Sequence, residues 1–339
     1  MAHVLSTEGV CMSLRDPPPL PDFADVVAAA ARIAGHAQVT PVLHSQGLDA
    51  LSGARIVFKC EQLQRGGAFK FRGACNAVLS LDDAEAAGGV VTHSSGNHGA
   101  ALALAAGVRG IACHVVVPGG AVPSKLAAIQ AYGAQLHRCE ATMAAREATC
   151  RRVQQQTGAV LIHPYADARV IAGQGTAALE LLGQCRELDA VVVPIGGGGL
   201  AAGTAIAAAA LAPGVPVYAA EPAGAADAAA SLASGHVRGD IAPRTLCDGL
   251  RATVGEPNLA LLQRHGVQVL LVEDARAVQA MRLFAQRCKQ LIEPSSAIAL
   301  AALLAHPQHF AGRRVGVVLS GGNVDLDAPM AWNAVQSTP

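Results

Sequence analysis

The 339-residue chain is poor in aromatic residues, which make up 3% of it, although 52% of its residues are hydrophobic. Its cores must therefore be built from Ala, Val, Leu and Ile, and its length is sufficient for two domains of ordinary size. Lys and Arg together number 25, as do Asp and Glu together. The chain thus lacks the basic excess that would attract nucleic acid or an anionic membrane.

Paired cysteines and targeting segments are also missing. The nine cysteines are scattered singly, with no Cys-x-x-Cys pair. This argues against a zinc ribbon or a disulfide framework and is typical of reduced thiols in a cytoplasmic protein. The first residues lack the pattern of a signal peptide. Between Asp189 and Glu221 no residue is charged, but prolines and glycines interrupt this segment. It predicts a strand, a glycine turn and a buried helix, not a membrane span.

Short apolar runs alternate with Ala/Leu-rich helical stretches along the chain. This predicts an α/β fold with parallel sheets flanked by helices, in which ligands bind beyond the carboxyl ends of strands. The predicted strands are Arg55–Cys60, Val90–Thr92, Ala112–Val117, Gln135–Arg138, Val160–His163, Ala190–Pro194, Val217–Ala220, Val267–Val272 and Val315–Leu319. The predicted helices are Asp22–Ala34, which follows a stiff lead-in at Pro17–Pro21, and Lys70–Leu79, Asn97–Ala106, Pro123–Tyr132, Thr142–Gln156, Gly175–Gln184, Leu200–Leu211 and Ala275–Lys289.

Four consecutive glycines, Gly196 to Gly199, lie between a predicted strand and a helix that begins near Leu200. Their backbone N–H groups can converge on an anion, and the helix dipole adds favourable potential. A flexible turn is the alternative, but the order of strand, glycines and helix favours phosphate binding. A looser pattern, Gly173-Gln174-Gly175, lacks a clean preceding strand and does not predict a dinucleotide site.

Lys70 lies between two phenylalanines and follows the pair Gly66-Gly67. Desolvation there would lower the pKa of the lysine, as Schiff-base chemistry requires. The same local sequence also fits a surface lysine whose two neighbouring phenylalanines are buried. The stretch Thr92-His93-Ser94-Ser95-Gly96-Asn97-His98-Gly99 holds more polar groups than a helix cap needs, which favours a bound carboxylate. Ser320-Gly321-Gly322-Asn323 follows the last strand and by itself fits any turn.

Together, and in their order along the chain, these four segments resemble the fold-type-II pyridoxal-phosphate (PLP) enzymes, in particular the serine/threonine dehydratase and serine racemase branch. The resemblance extends from about Thr40 to Asp325. The resemblance implies a two-domain fold like that of the tryptophan synthase β subunit. A small domain, 84–166, is inserted between residues 1–83 and 167–339 of a large PLP-binding domain. It also implies a homodimer and no C-terminal regulatory domain. At Ala68 and Tyr165 the sequence departs from the residues common in this family. These departures affect the expected substrate more than the expected cofactor chemistry.

The resemblance implies roles for individual residues. For the cofactor these are Phe69, Lys70 as the Schiff-base lysine, Asn97 at the ring hydroxyl, Gly196, Gly197, Gly198, Gly199 and Leu200 around the phosphate, and Ser320 at the pyridine nitrogen. The substrate is expected to contact Ser94, Ser95, Gly96, Asn97, His98, Arg146 and Tyr165. Glu221, the Ala225 carbonyl and Asp227 resemble a divalent-cation loop, for Mg²⁺ or Ca²⁺. For Arg146, a solvated position on a helix is an equal alternative.

The reaction implied by the resemblance is PLP-dependent β-elimination from a β-hydroxy amino acid such as L-serine or L-threonine, which yields a 2-keto acid and ammonia. Lys70 is expected to remove the Cα proton, and the cofactor to act as electron sink. Ser95, expected on the face of Cα opposite Lys70, keeps a serine or aspartate racemase as an alternative function. Arg146 favours 3-hydroxyaspartate as the substrate, and Tyr165 favours phenylserine. A non-catalytic ligand-binding protein would use the same loops without the chemistry of Lys70.

Overall fold

The structure, a computed structural model, describes residues 19–121 and 123–325. The signal-peptide prediction and the first two residues of the proline lead-in, Pro17 and Pro18, lie outside the described residues. The strands are β1 Val42–Leu43, β2 Arg55–Cys60, β3 Val90–Thr92, β4 Cys113–Pro118, β5 Gln135–Cys139, β6 Val160–Leu161, β7 Ala190–Pro194, β8 Val217–Pro222, β9 Gln268–Val272 and β10 Arg314–Leu319. The helices are α1 Phe23–Ile33, α2 Gln46–Ser52, α3 Lys70–Leu79, α4 Asp83–Ala87, α5 Asn97–Arg109, α6 Pro123–Ala131, α7 Met143–Thr157, α8 Ala168–Gln184, α9 Gly199–Leu211, α10 Asp227–Ser234, α11 Glu256–Arg264, α12 Asp274–Cys288, α13 Pro294–Ala305 and α14 Pro307–Phe310.

The larger sheet has six strands in the order β1-β2-β10-β7-β8-β9. All neighbours are parallel except β1, which pairs antiparallel with β2. The last described strand, β10, lies between β2 and β7, so that Val317 pairs with both Phe58 and Val192. Because parallel strands end at the same edge, the loops after β2, β7 and β10 meet there. The predicted α/β fold with parallel-rich sheets is confirmed.

The smaller sheet has four parallel strands in the order β5-β4-β3-β6. Its strands run from Val90 to Leu161, within the segment 84–166 that the resemblance assigns to an inserted domain. The division of the chain into domains at these boundaries remains a prediction. The polar stretch of residues 92–99 runs from the end of β3 through the loop 93–96 into the first turn of α5.

Helices α3 and α9 both pack closely against α8. Gly173 of α8 lies so near α3 that a Cβ atom there would be 2.6 Å from the Cα atom of Gly73. Glycine is therefore required at position 173 by helix packing, and the loose Gly173-x-Gly175 pattern belongs to the interior of a helix, not to a dinucleotide loop. As predicted, the uncharged segment between Asp189 and Glu221 contains β7, a glycine turn and α9. None of the described helices combines the length and apolar character needed to cross a membrane.

A buried ionic cluster fixes the start of α3. The Arg72 guanidinium donates to the carboxylates of Glu61 and Glu180, with the shortest N–O distance of each pair at 2.7 Å. Lys59, on β2, donates to Glu180 as well, at 2.6 Å. Two cations thus face two carboxylates, so the buried charges compensate one another. Since Arg72 lies two residues after Lys70, the cluster anchors the helical turn that carries Lys70.

Candidate active site

A cavity of about 760 Å³ lies where the loops of the two sheets meet. Every residue predicted from the sequence to bind cofactor or substrate lines it: Phe69, Lys70, Ser94, Ser95, Gly96, Asn97, His98, Arg146, Tyr165, Gly196, Gly197, Gly198, Gly199, Leu200 and Ser320. The three predicted cation ligands do not line the cavity. The fold therefore brings together four segments that are far apart in the sequence.

Lys70 is the first residue of α3, and its Nζ atom donates to the carbonyl oxygen of Pro164 at 2.9 Å. Burial lowers the pKa of Lys70 to about 8, although the nearby charge of Glu293 acts in the opposite direction. A larger fraction of the amine is then neutral at physiological pH, as a nucleophile or base requires. The backbone N–H of Phe69 donates to the carbonyl oxygen of Ser320 at 3.0 Å, which ties the lysine segment to the loop after β10.

The glycine loop forms an open cradle of backbone donors at the start of α9. A Cβ atom on Gly197 would lie 2.3 Å from Cγ of Tyr165, so only glycine fits beneath that ring. Gly198 has φ +93°, a left-handed conformation that also favours glycine. Within the described part of the chain, the N–H groups of Gly197, Gly198, Gly199 and Leu200 have no hydrogen-bond acceptor. Free donors at a helix N-terminus that face a cavity fit a phosphate group.

The polar stretch between β3 and α5 faces the same cavity. The Ser94 hydroxyl accepts the Gly96 N–H at 3.4 Å, and Asn97 begins α5. His98 is buried, and its Nε2 atom contacts the carbonyl oxygen of Ile162 at 3.4 Å. A carbonyl oxygen can only accept, so Nε2 carries the proton, and Nδ1 is left as an acceptor without a partner among the described residues. Burial, with Lys70 nearby, holds the pKa of His98 well below its usual range.

Glu293 is among the cavity-lining residues that the sequence predictions missed. Glu293, which precedes α13, is buried, and its carboxylate accepts the Asn97 amide at 2.9 and 3.2 Å. Burial raises the pKa of Glu293 to about 7. The sequence signal was Glu293-Pro294-Ser295-Ser296 before an apolar run, since Pro in the first turn is common at helix starts.

Arg146 lies on α7 and is half-buried at the cavity wall. Its Nε atom is buried and has no hydrogen-bond partner among the described residues. His93 also lines the cavity, and the pKa of His93 is lowered first by burial and further by the charge of Arg146. The structure therefore favours a position facing the cavity over the solvated alternative for this arginine.

The predicted cation ligands lie at the end of β8 and the start of α10. The Glu221 carboxylate accepts the N–H groups of Ala228 and Ala229 at 2.6 and 2.9 Å, and Asp227 accepts the N–H of Val254 at 2.7 Å. Burial raises the pKa of Glu221 to about 7, and Asp227 raises it further. No group of three or more His, Cys, Asp or Glu side chains suited to a metal occurs among the described residues. Two adjacent buried carboxylates without a cationic side chain still fit a hard cation with backbone and water ligands.

The chain matches the family model described as "Pyridoxal-phosphate dependent enzyme" over residues 33–321. It is 47% identical to a β-hydroxyaspartate dehydratase of Paracoccus denitrificans, over 93% of this chain and 99% of the relative. It is 48% identical to a serine racemase of Arabidopsis thaliana, over 94% of this chain and 97% of the relative. The solved structure of maize serine racemase superposes with a TM-score of 0.88 at 43% identity, and the match covers 91% of this chain and 95% of that one.

These relatives include a dehydratase and a racemase, so the predicted reaction class, PLP-dependent β-elimination with racemisation as its alternative, is confirmed. The alternative interpretation, a non-catalytic ligand-binding protein, is not supported by these matches. The prediction of a fold-type-II enzyme of the dehydratase and racemase branch is confirmed as well. From the cavity, the lysine, the glycine cradle and these matches, we conclude that this chain belongs to the family of pyridoxal-phosphate dependent enzymes.

Proposed function

We propose that the enzyme is an ammonia-lyase for 3-hydroxyaspartate, which it converts to oxaloacetate and ammonia. The observation that carries this proposal is the guanidinium of Arg146 at the cavity wall, which has no carboxylate partner among the described residues. A substrate with a second carboxylate would supply that partner. L-Serine or L-threonine, the substrates named first from the sequence, would leave Arg146 unpaired.

A comparison of the four basic side chains in the described cavity lining supports this assignment. Lys70 donates to Pro164, Lys125 pairs with Asp248, and Arg251 donates to the Thr245 carbonyl oxygen at 2.7 Å. Arg146 alone among these four makes no hydrogen bond or ion pair with a described residue. Because an unpaired, partly buried guanidinium is unfavourable, the site is complementary to an anion at this position. Two relatives named for hydroxyaspartate, from Paracoccus denitrificans and a Pseudomonas species, agree with this choice.

The other residues of the cavity fit the cofactor and the common part of the substrate. Bound PLP supplies an electron sink for the bonds at Cα. We assign its phosphate to Gly196–Gly199 and Leu200, its ring hydroxyl to Asn97 and its pyridine nitrogen to Ser320. Lys70 would hold the cofactor covalently, and its amine, free again once the substrate amino group replaces it, would take the Cα proton. The stretch from Ser94 to His98 orients the Cα carboxylate.

Two parts of the proposal depend on residues outside this core set. We assign a divalent cation to Glu221, Asp227 and the Ala225 carbonyl, because the two buried carboxylates lack a cationic partner in the described structure. Racemisation is the second candidate activity, since Ser95 brings a hydroxyl to the cavity lining and inversion at Cα would need a proton donor on the face opposite Lys70. A homodimer and a cytoplasmic location remain predictions.

The test is a comparison of substrates with purified enzyme loaded with PLP. Release of 2-keto acid is measured for the stereoisomers of 3-hydroxyaspartate, for L- and D-serine, for L-threonine and for phenylserine. We expect kcat/KM for one 3-hydroxyaspartate isomer to exceed that for L-serine by at least about tenfold, because a charged hydrogen bond contributes about 1.5–3 kcal/mol. A preference for serine or threonine would contradict the proposal, and a preference for phenylserine would assign specificity to Tyr165 instead.

A further inference from the structure

Asn258 lies in the first turn of α11 and is fully buried, and it is not among the residues that line the cavity. Its Nδ2 atom donates to the carbonyl oxygens of Gly197, at 2.5 Å, and Tyr165, at 3.0 Å. Carbonyl oxygens only accept hydrogen bonds, so the orientation of this amide is unambiguous. One side chain thus joins the glycine loop to the segment that covers it.

The contact with Gly197 determines where the next N–H group points. The Gly197 oxygen also accepts the N–H of Gly255, at 3.1 Å, so two donors hold it toward the start of α11. In a trans peptide the C=O group and the following N–H point in opposite directions, and the described chain has no cis peptide bond. Holding the Gly197 carbonyl toward α11 therefore directs the Gly198 N–H away from α11. Gly198 lines the cavity, and this N–H has no acceptor within the described residues.

The contact with Tyr165 connects the same amide to the lysine. The carbonyl of Tyr165 accepts from Asn258, and the preceding carbonyl, of Pro164, accepts from Lys70. The Cβ atom of Asn258 also packs against the loop, because a Cβ atom built on Gly198 would lie 2.8 Å from it. Asn258 is thus in contact with both peptide segments that border the phosphate cradle.

We propose that Asn258 is a positioning residue for the cofactor phosphate: by holding the Gly197 carbonyl, it fixes the glycine loop with its N–H groups toward the cavity. Asn258 touches neither cofactor nor substrate and acts through the backbone of Gly197 and Gly198. The inference depends on the cofactor, which family membership establishes, and not on the choice of 3-hydroxyaspartate as the substrate.

The experiment compares two ligands that differ in the phosphate alone. Kd is measured by absorbance for PLP and for pyridoxal, on apoenzyme of the wild type, Asn258→Ala and Asn258→Thr. Gln263→Ala, an exposed residue of the same helix, is the matched control. We expect Asn258→Ala to weaken PLP binding by at least about tenfold, which corresponds to about 1.4 kcal/mol, and to change pyridoxal binding by less than about threefold. Asn258→Thr, which keeps one donor, should fall between the wild type and Asn258→Ala.

Thermal melts of each apoenzyme show whether the variants are folded. Should Asn258→Ala fail to fold, Asn258→Thr carries the same comparison. A selective loss of PLP affinity supports the proposal. A parallel loss of PLP and pyridoxal affinity, or no loss of either, overturns it, since a residue with a general structural role would not distinguish the two ligands. Substrate preference is not measured here, so a failure of this inference is distinct from a failure of the proposed function.

Discussion

The Asn97 amide donates to the buried carboxylate of Glu293, with Nδ2 2.9 Å from Oε1, and accepts the Asn323 amide at its own Oδ1 atom, 3.0 Å away. Asn323 is oriented in turn by the Gly66 carbonyl, to which it donates at 2.8 Å. The carboxylate and the carbonyl only accept, so both amides have fixed orientations. The Nδ2 atom of Asn97 is thereby directed to Glu293, 2.9 Å from Oε1 and 3.2 Å from Oε2. The orientation of Asn97, which we assign to the ring hydroxyl of the cofactor, thus depends on a carboxyl group whose pKa is raised to about 7 by burial.

Glu293→Gln should change how the stability of the apoenzyme depends on pH. Burial, with Asp248 adding to it, raises the pKa of Glu293 to about 7 from its usual 4.5, against the lowering effects of Asn97 and Lys125. The folded state therefore binds more protons than the unfolded state between these values, so the wild type loses stability as pH rises from about 4.5 to about 7. The variant lacks this loss and should be more stable above pH 7, by at most about 3 kcal/mol.

The measurement is urea unfolding at pH values from 4.5 to 8.5. The exposed Glu256→Gln is the control and should follow the wild type at each pH. If the free energies of unfolding of Glu293→Gln and the wild type differ by the same amount at every pH, the assignment of this titration to Glu293 is refuted.

Lys70→Ala should abolish turnover, by at least about a thousandfold, because we assign both covalent attachment of the cofactor and removal of the Cα proton to its amine. Lys70→Arg keeps a positive charge but cannot form the covalent bond, so it should be equally inactive. Keto-acid release and the visible absorbance of enzyme mixed with PLP are the measurements. Activity near that of the wild type in either variant would show that another group carries the chemistry.

Arg146→Met should lower kcat/KM for 3-hydroxyaspartate by about a hundredfold and leave that for L-serine within about threefold. The lost interaction is the charged hydrogen bond to the second carboxylate, which serine does not have. Arg151→Met is the matched control, because this arginine lies on the same helix with its side chain 65% exposed. Equal losses for both substrates would mean that Arg146 supports the fold or the Cα carboxylate instead.

Ser95→Ala should separate elimination from racemisation if the enzyme performs both. The Lys70 amine can take a proton from one face of Cα only, so inversion needs a second proton donor, which we assign to Ser95. Racemisation should fall by about a hundredfold or more, whereas elimination from the L-enantiomer persists. Chiral chromatography beside a keto-acid assay measures both activities. A parallel decline of the two would assign Ser95 to binding.

Removal of divalent cations should lower the melting temperature, and added Mg²⁺ or Ca²⁺ should restore it. A cation at a hundred times its Kd stabilises the folded state by about 2.7 kcal/mol. Glu221→Gln should abolish this response, and the exposed Glu256→Gln should retain it. Melting curves that do not respond to chelator or cation, in a protein that contains no metal by elemental analysis, would exclude the site.

Much of the site could be predicted because its groups lie at strand ends. The predicted bounds of β2, β3 and β7 agree with the structure, since each is a short, mostly apolar run that is followed within two residues by a polar residue or glycine: Glu61, His93 and Gly196. The start of α8 was placed too late, at Gly175, whereas the helix begins at Ala168. Asp167 caps it by accepting the Arg169 N–H at 2.8 Å, a local contact that apolar periodicity does not reveal.

Glu293 and α13 were not predicted, for a related reason. Most of α13 is buried on all faces, so it lacks the polar stripe by which an amphipathic helix is recognised. The contact between Glu293 and Asn97 joins residues 196 positions apart, and nothing in either local sequence indicates the other. Asn258 was missed likewise, because its importance lies in the carbonyl groups it contacts and not in a motif.

The position of β10 has a consequence for biosynthesis. This strand is the last described element of the chain, yet it lies in the interior of the large sheet between β2 and β7. While the chain emerges from the ribosome, both of those strands expose unpaired edges, and Ser320 has not yet been made. The nascent protein therefore cannot complete the cavity that Ser320 lines until β10 has been synthesised, after the other described strands, and this interval is when it is most exposed to aggregation.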